Sequence, residues 1–578
     1  MKVVPSLAVA LLLALFPGSP ARAQLTFALS GVHHVSDATW DAMSDASRTA
    51  FLEQRADLAV ALGASAVRLG DVPPRLWSKA ALDADTAPGR WLWADRAVRI
   101  FAERGLTLVI VVPDIIGSGL TAYRGFIGAL AERYDGDADF GVATVDNNRD
   151  FPDIDDTGAI TAGDWNAPNA QLLAWAATHT IDVIEIGNQP LVAEQAGDVM
   201  PGEYGTQLKS GAAAVRDSGG GITVMLAGTL ADAQSASDFT TRLDGVNPNV
   251  FDHANVHLLE STKQPAGDAM DTALSDFTDW LAANNHPDVD RWVGAMSAAY
   301  DNAGPCGAWP CDERLQCSLL AKAAVLALDR GYSHFAYATP VEVQGSAADP
   351  EMPAATALLT LALETGADPT LTPIRTNRAY ATWIRLQEIL SEVDGDNLNR
   401  LGDLGPNLSG YALGGEKGWL VWYDWTRETS PGNGYDGSLR GVTLKGLPPE
   451  VQSVVASSLY PESLGDTLGA GFDAVTQWET RVYPVSGGEA TVEVAADVVW
   501  VVPNAFPAPG GDEGPVEAVE EAPETPTDAG PAPGDSGGGE ATARSQSGWP
   551  SFALALALAA GVVIAWRRRR PFASFSAR

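Results

Sequence analysis

Asp135, Asp137 and Asp139 stand at alternate positions, with Asp146 a little further on. Carboxylate oxygens at that spacing can surround a Ca2+ ion. The loop departs from the EF-hand pattern, with Phe140 where the glycine belongs and Asp rather than Glu at the twelfth position. In so acidic a chain a solvated Asp-rich loop is the ordinary alternative. Other metal chemistry finds no support: the three cysteines, Cys306, Cys311 and Cys317, crowd into residues 306–317 with no His or Cys partner at ligand spacing. Cys306 and Cys311 close a short loop suited to a disulfide in an oxidising compartment. Cys317 falls among Leu315, Leu319, Leu320, Ala323 and Ala324 at helical spacing, and is expected as a buried free thiol. Glu194, Glu260 and Asp301 are carboxylates that follow apolar strand-like runs. Groups of that kind, brought together, can do general acid/base work.

What must position them is a chain of apolar runs alternating with amphipathic segments, the pattern of parallel βα units. Strands are expected over 27–32, 66–69, 107–112, 183–187, 223–227, 253–257, 292–296 and 334–338, with helices over 47–62 and 94–104 among them. Continuous Val/Ile/Leu runs fit strands covered on both faces, as in the wall of an eight-stranded barrel. An open doubly wound sheet is the alternative, but no Gly-rich phosphate fingerprint follows the first strand. After about residue 377 the pattern changes. A helix over 379–393 is followed by strand-like runs over 419–425, 442–444, 451–459 and 491–502 between Gly, Pro and Asp turns, the mark of a small antiparallel sandwich.

At the fourth strand, Ile184-Glu185-Ile186-Gly187-Asn188-Gln189-Pro190 resembles the Asn-Glu-Pro signature of the clan A glycoside hydrolases. Arg68 matches the arginine those barrels carry at the end of strand two, and His257 falls where strand six often carries a histidine. Residues 89–95, 126–134 and 312–331 resemble segments leading into the family's helices and strands, while 414–424 and 491–503 resemble the β-sandwich that often follows. The resemblance covers 27–503. It implies a (β/α)8 TIM barrel over 24–376 followed by a helix and small antiparallel β-sandwich over 377–503.

It also implies a catalytic pair at the ends of strands four and seven, about 5 to 5.5 Å apart in retaining enzymes. Here those positions hold Gln189 and, most naturally, Ala295. An amide has the shape of a protonated glutamic acid but cannot exchange a proton at useful pH. Glu185 lies about 13 Å lower along the strand and is expected to be buried against a layer arginine. An active enzyme would need relocated carboxylates, with Glu260, Glu194 and Asp301 the candidates. The family likeness otherwise implies a sugar site in which Arg68, Asn188, Gln189 and His257 supply hydrogen bonds and Tyr300, Trp309 and Tyr337 supply apolar surface. The leading expectation is a carbohydrate-binding barrel with a degenerate catalytic pair. An active glycosidase and a structural surface protein are the rivals.

With 73 acidic against 37 basic residues, a net charge of -36, the chain is unsuited to nucleic acid, whose phosphates need clustered Lys and Arg. The two ends, 1–23 and 567–578, hold seven basic residues and no acidic one. Residues 1–23 carry Lys2, an apolar run over 7–16 and Ala21-Arg22-Ala23, the n-region, h-region and cleavage pattern of a secretory signal. Residues 550–566 are apolar and uncharged and run into Arg567–Arg570, so a single membrane helix is expected, with the body outside the cytoplasm. Between body and anchor, 504–548 is an acidic Pro/Gly stretch with too little apolar surface to fold, and is expected as a disordered stalk. The anchor and its arginines occupy 549–570 and a cytoplasmic tail 571–578. This tripartite tail resembles bacterial C-terminal envelope-sorting signals, although the Cys that myxobacterial examples carry before the helix is missing. Cell-envelope localisation and a membrane partner follow as expectations, with no obligatory cofactor. Oligomeric state, sugar and linkage stay open.

Overall fold

The structure is a computed structural model that describes residues 24–78, 91–113, 119–137, 170–190, 203–230, 250–260, 267–298, 305–306, 309–310, 313–338, 340–344, 358–364, 370–414, 417–424, 438–462 and 478–504. Eight parallel strands close on themselves: β1 (Thr26–Ser30), β2 (Ala66–Leu69), β3 (Thr107–Val112), β4 (Val183–Ile186), β5 (Thr223–Leu226), β6 (His253–Glu260), β7 (Asp290–Ala298) and β8 (His334–Ala338). Each pairs with the next, and β8 returns to β1 with Ala28 opposite Ala336. This is a (β/α)8 barrel. A short strand, Thr229–Leu230, adds to β6.

Helices cover the outside: α1 (Asp37–Ala42), α2 (Asp45–Ala61), α3 (Leu92–Glu103), α4 (Leu120–Tyr134), α5 (Ala170–Thr178), α6 (Glu203–Asp217), α7 (Gly267–Ala283) and α8 (Glu313–Asp329). Ser44 starts α2 by accepting the Ser47 N–H at 3.2 Å, a cap of a kind that contributes about 1 kcal/mol. Between α3 and α4, Asp95 takes two bonds from Arg133 at 2.7 and 2.6 Å and one from Tyr134 at 2.8 Å, all buried. Covered on both faces, β3 is buried from Leu108 to Val112, which is why its sequence reads as an unbroken apolar run.

Side chains alternate across each strand. Ala28, Ala66, Val109, Val183, Met225, Trp292 and Ala336 form a separate apolar cluster that fills the barrel interior. Two residues further along, the inward positions become polar: Ser30 on β1, Arg68 on β2 and Glu185 on β4, all buried. This polar layer, at the C-terminal ends of the strands, is the floor of the barrel mouth.

Beyond the barrel, β9 (Val341–Gln344), β10 (Leu359–Glu364) and β11 (Thr370–Thr376) form a three-stranded sheet that the sequence pattern had not indicated. Then α9 (Arg378–Leu390) leads into antiparallel strands β12 (Leu408–Leu413), β13 (Gly418–Tyr423), β14 (Arg440–Lys445), β15 (Ser453–Pro461), β16 (Trp478–Pro484), β17 (Glu489–Val494) and β18 (Val499–Pro503). One sheet runs β12-β13-β18-β15-β16, with Asn399–Arg400 at its edge, and β14 pairs with β17 in the other. The single strand expected over 491–502 is two strands. Between them the backbone leaves the ladder to meet α8: Arg314 donates to Asp497 at 2.7 Å and Ser318 to the Ala496 carbonyl at 2.6 Å. Barrel and sheets belong to one compact unit that ends at Pro503. No helix among the described residues is long and apolar enough to cross a membrane, and residues 1–23 and 550–566 lie outside them.

Candidate functional site

Arg68 organises the barrel mouth. Its Nε donates to Glu185 Oε2 at 2.6 Å, and Nη2 to Glu185 Oε1 at 2.8 Å and to Asn188 Oδ1 at 3.0 Å. Nη1 donates to Ser30 Oγ at 3.0 Å and to Asp71 Oδ2. A guanidinium has five N–H donors, and all are engaged. Burial by itself lowers the Arg68 pKa, but the charges of Glu185 and Asp71 outweigh it and raise it above the usual arginine value. Arg68 therefore has no donor to offer a ligand, which corrects its expected place in a sugar site: it orients the groups around it.

Glu185 is the buried partner of this arginine, and Oε1 accepts the Gly228 N–H at 3.1 Å as well. Asn188 is partly exposed and has its oxygen committed to Arg68, which leaves Nδ2 outside that bond. Asp71, two residues past β2, accepts the Ser30 hydroxyl at 2.9 Å on Oδ2, while its Oδ1 is buried with no hydrogen-bond partner among the described residues. Asp71 and Ser30 went unnoticed in the sequence. The signals were there: Asp71 follows Arg68 by three, and Ser30 is the register partner of Arg68.

The end of β4 is shaped by two unusual conformations. Gly187 has φ +85° and Gln189 φ +44°, a left-handed setting that a residue with a side chain enters only at a cost. Tyr204 of α6 braces the turn by donating to the Ile186 carbonyl at 2.9 Å and accepting the Ala227 N–H at 2.8 Å. So held, Gln189 places Nε2 3.0 Å from Nδ1 of His257. An amide nitrogen donates, so Nδ1 accepts and the imidazole proton resides on Nε2. Burial, helped by the Arg68 charge, holds His257 well below the ordinary histidine pKa, and the ring is neutral. Its Nε2 has no partner among the described residues. The ring lies so close to Gly228 that a Cβ there would sit 1.9 Å from Nε2.

Across from His257 on β7 the register partner is Ala295. A bulge between Val293 and Ala295 resets the alternation here, with Gly294 donating to Asn255 Oδ1 at 2.9 Å. Bulges re-aim the residue that follows, and the residue so aimed is an alanine.

Tyr337 lies elsewhere. On β8 the inward residue is Ala336, so Tyr337 faces outward, accepting a bond from Gln316 of α8 at 3.0 Å and meeting Trp383 of α9 edge-on at 6.0 Å. It is a packing residue, which corrects its expected place as a ligand surface. Glu260 ends β6 opposite Ala298, and Cys306 pairs with Trp309 in a two-residue ladder. Glu194, Tyr300, Asp301, Asp139 and Cys311 lie outside the described residues. Asp135 accepts the Asp137 N–H at 3.2 Å just beyond α4. Among the described residues no three His, Cys, Asp or Glu side chains gather as metal ligands. Cys317 is a buried free thiol.

A barrel with its polar groups at the C-terminal strand ends is the arrangement of many enzymes and binding proteins. No protein-family model matches this chain, and no curated protein does. Solved structures are similar to it at low identity. A glucosidase from Croceicoccus marinus is 13% identical, with 84% of this chain and 97% of that one covered and a TM-score of 0.46. The GH39 enzyme from Xanthomonas axonopodis pv. citri is 11% identical, with 84% and 96% covered and a TM-score of 0.46. A monomeric beta-xylosidase from Caulobacter crescentus CB15 is 14% identical, with 84% and 97% covered and a TM-score of 0.43. At these scores no residue role passes from them to this chain, and the barrel stands on its own strand pairing.

Proposed function

We propose that this is an exported, envelope-anchored glycoside-hydrolase-like protein that binds carbohydrate at the barrel mouth without hydrolysing it through the usual pair. One observation carries the reading: at the end of β4 the group presented to neutral His257 is the Gln189 amide, and the residue opposite His257 on β7 is Ala295. Neither can give or take a proton. Glu185, the buried carboxylate nearest in sequence, is committed to Arg68 and Gly228. What the mouth offers instead is recognition chemistry, with the partly exposed Asn188 amide as hydrogen-bonding group for sugar hydroxyls.

The test is a glycan array with the purified protein alongside reducing-sugar release from the same glycans. Binding without release is the expected result, with gain of hydrolysis in the double variant Gln189→Glu, Ala295→Glu. Release by the wild type, abolished by Glu260→Gln, Glu194→Gln or Asp301→Asn, would establish the rival reading of relocated carboxylates. Neither binding nor release would favour a structural surface protein. Export and anchoring rest on the sequence of 1–23 and 549–570, and cell fractionation with and without residues 549–578 tests them. The binding reading calls on no cofactor. A Ca2+ ion at Asp135, Asp137 and Asp139 would show itself as a Tm raised by Ca2+ and lowered by chelator.

A further inference from the structure

α2 turns Phe51, Leu52, Ala56 and Ala59 toward the barrel, and among these apolar residues lies Arg55, at 0% exposure. Its Nε, Nη1 and Nη2 have no hydrogen-bond partner among the described residues. Its close contact is the Phe51 ring, whose centroid is 4.8 Å from Cζ. The contrast with two equally buried arginines is direct: Arg68 has Glu185 and Asp71, and Arg133 has Asp95. Burial lowers the Arg55 pKa to about 9, with no carboxylate opposing the shift, so the side chain is still protonated at neutral pH. An unaccompanied buried cation is among the costliest arrangements a fold can contain, and one aromatic face does not offset it.

Among the described residues no carboxylate acts on Arg55. Fully buried Trp77 has an Nε1–H with no partner among the described residues. Trp77 meets His33 edge-on at 6.1 Å, and His33 feels the Arg55 charge. His33 is neutral, its Nε2 accepting the Gly70 N–H at 3.3 Å, so it brings no negative charge. Asp71 also acts on His33, but its Oδ2 is bound to Arg68 and it makes no contribution at Arg55. The unused donors of the guanidinium itself call for a small acceptor with one negative charge.

We propose that Arg55 holds a buried monovalent anion of halide or formate size beside the Phe51 ring. This site is separate from the Asn188–Asp71 mouth and does not depend on the carbohydrate reading. The experiment is thermal unfolding of the full-length protein in chloride, bromide or gluconate at one ionic strength, with crystals grown in bromide. Expected are a Tm that rises with halide concentration and not with gluconate, as for any ligand bound by the folded state alone, and an anomalous bromide peak about 3.3 Å from an Arg55 nitrogen. Arg55→Met should abolish the halide dependence. If Arg55→Met does not fold, Arg55→Lys, which keeps the charge with fewer donors, should retain a weakened dependence. Equal Tm values in all three salts, a halide response unchanged in Arg55→Met, or a carboxylate of the chain itself seated on Arg55 in the crystal would overturn the proposal.

Discussion

The barrel has a polar cluster at each end, and the two are built on opposite plans. At the base, where β5 to β8 begin, Asp290 accepts from His253 Nδ1 at 3.0 Å, from Trp292 Nε1 at 2.8 Å and from the Ser333 hydroxyl. His253 Nε2 is 2.9 Å from the Thr223 hydroxyl, and His334 stacks on Trp292 with centroids 3.6 Å apart. Burial alone would raise the Asp290 pKa, but the bonds from His253 and Ser333 outweigh it and hold it at about 2. At the mouth, Arg68 is equally saturated, yet the groups it orients keep something in reserve: Asp71 Oδ1 and His257 Nε2 are unpartnered among the described residues. A polar cluster that satisfies itself is a fastener, and one that leaves acceptors and donors over is a receptor. What their hydrogen bonds leave unused separates the two ends, since both contain histidine and carboxylate.

The largest effect should come from Arg68→Met, which strands Glu185 and Asp71. Loss of one partner from a buried pair costs about 3 to 5 kcal/mol, read as a drop in the urea midpoint. The double variant Arg68→Met, Glu185→Met should recover part of it. At the base, Asp290→Asn should cost roughly 1.5 to 3 kcal/mol, in the range of hydrogen bonds to charged groups. Glycan binding should stay intact, and a variant that folds but no longer binds would break the division between the ends.

Acid addresses both ends at once. His33, His179 and His334 are held at about 4 by burial, and His257 is shifted the same way. Between pH 6.5 and about 4 the unfolded chain binds protons that the folded chain does not. Stability should therefore fall as pH is lowered through that window, by about 1.4 kcal/mol per pH unit for each histidine. The Asp290 contribution has the opposite position on the scale, present above the unfolded value of 3.8 and lost as pH falls toward about 2. His334→Phe should flatten the upper slope by one proton, as measured by urea midpoints at pH 7, 6 and 5. The smallest stability change belongs to Asn188→Ala, about 1 kcal/mol, because one buried Arg68 donor loses its acceptor. Its glycan affinity should nevertheless fall about tenfold, in keeping with one hydrogen bond.

The barrel was readable because its strands are buried on both faces: 66–69, 107–112 and 334–338 were expected with the bounds that β2, β3 and β8 have. That same property hid which face was which. In β8 both Ala336 and Tyr337 are apolar enough for either side, so only the closed ring of pairings places Tyr337 outside. Glu185 was expected against a layer arginine, but that the arginine is Arg68, 117 residues away, was not legible in the sequence. Gln189 was legible from its motif, whereas its left-handed backbone and the neutral His257 it faces needed the turn at Gly187 and the burial of the ring. The strands β12 and β16 escaped notice because Gly410 interrupts one and the other carries Glu479 and Arg481 on an exposed edge.

Helix α9 has a consequence for where this protein can be divided. Trp383 Nε1 donates to the Leu62 carbonyl at the end of α2 at 2.9 Å, Gln387 donates to the same oxygen at 2.7 Å, and the Trp383 ring meets Phe27 of β1 at 5.0 Å. On its other side Thr382 donates to the Leu459 carbonyl of β15 at 2.6 Å. The helix is thus a rivet driven through the seam between the first βα unit and the sheets. A chain cut at residue 376 would expose the apolar surface under Trp383 at the strand that closes the ring, so barrel and sheets should melt in one transition and neither should be obtainable alone.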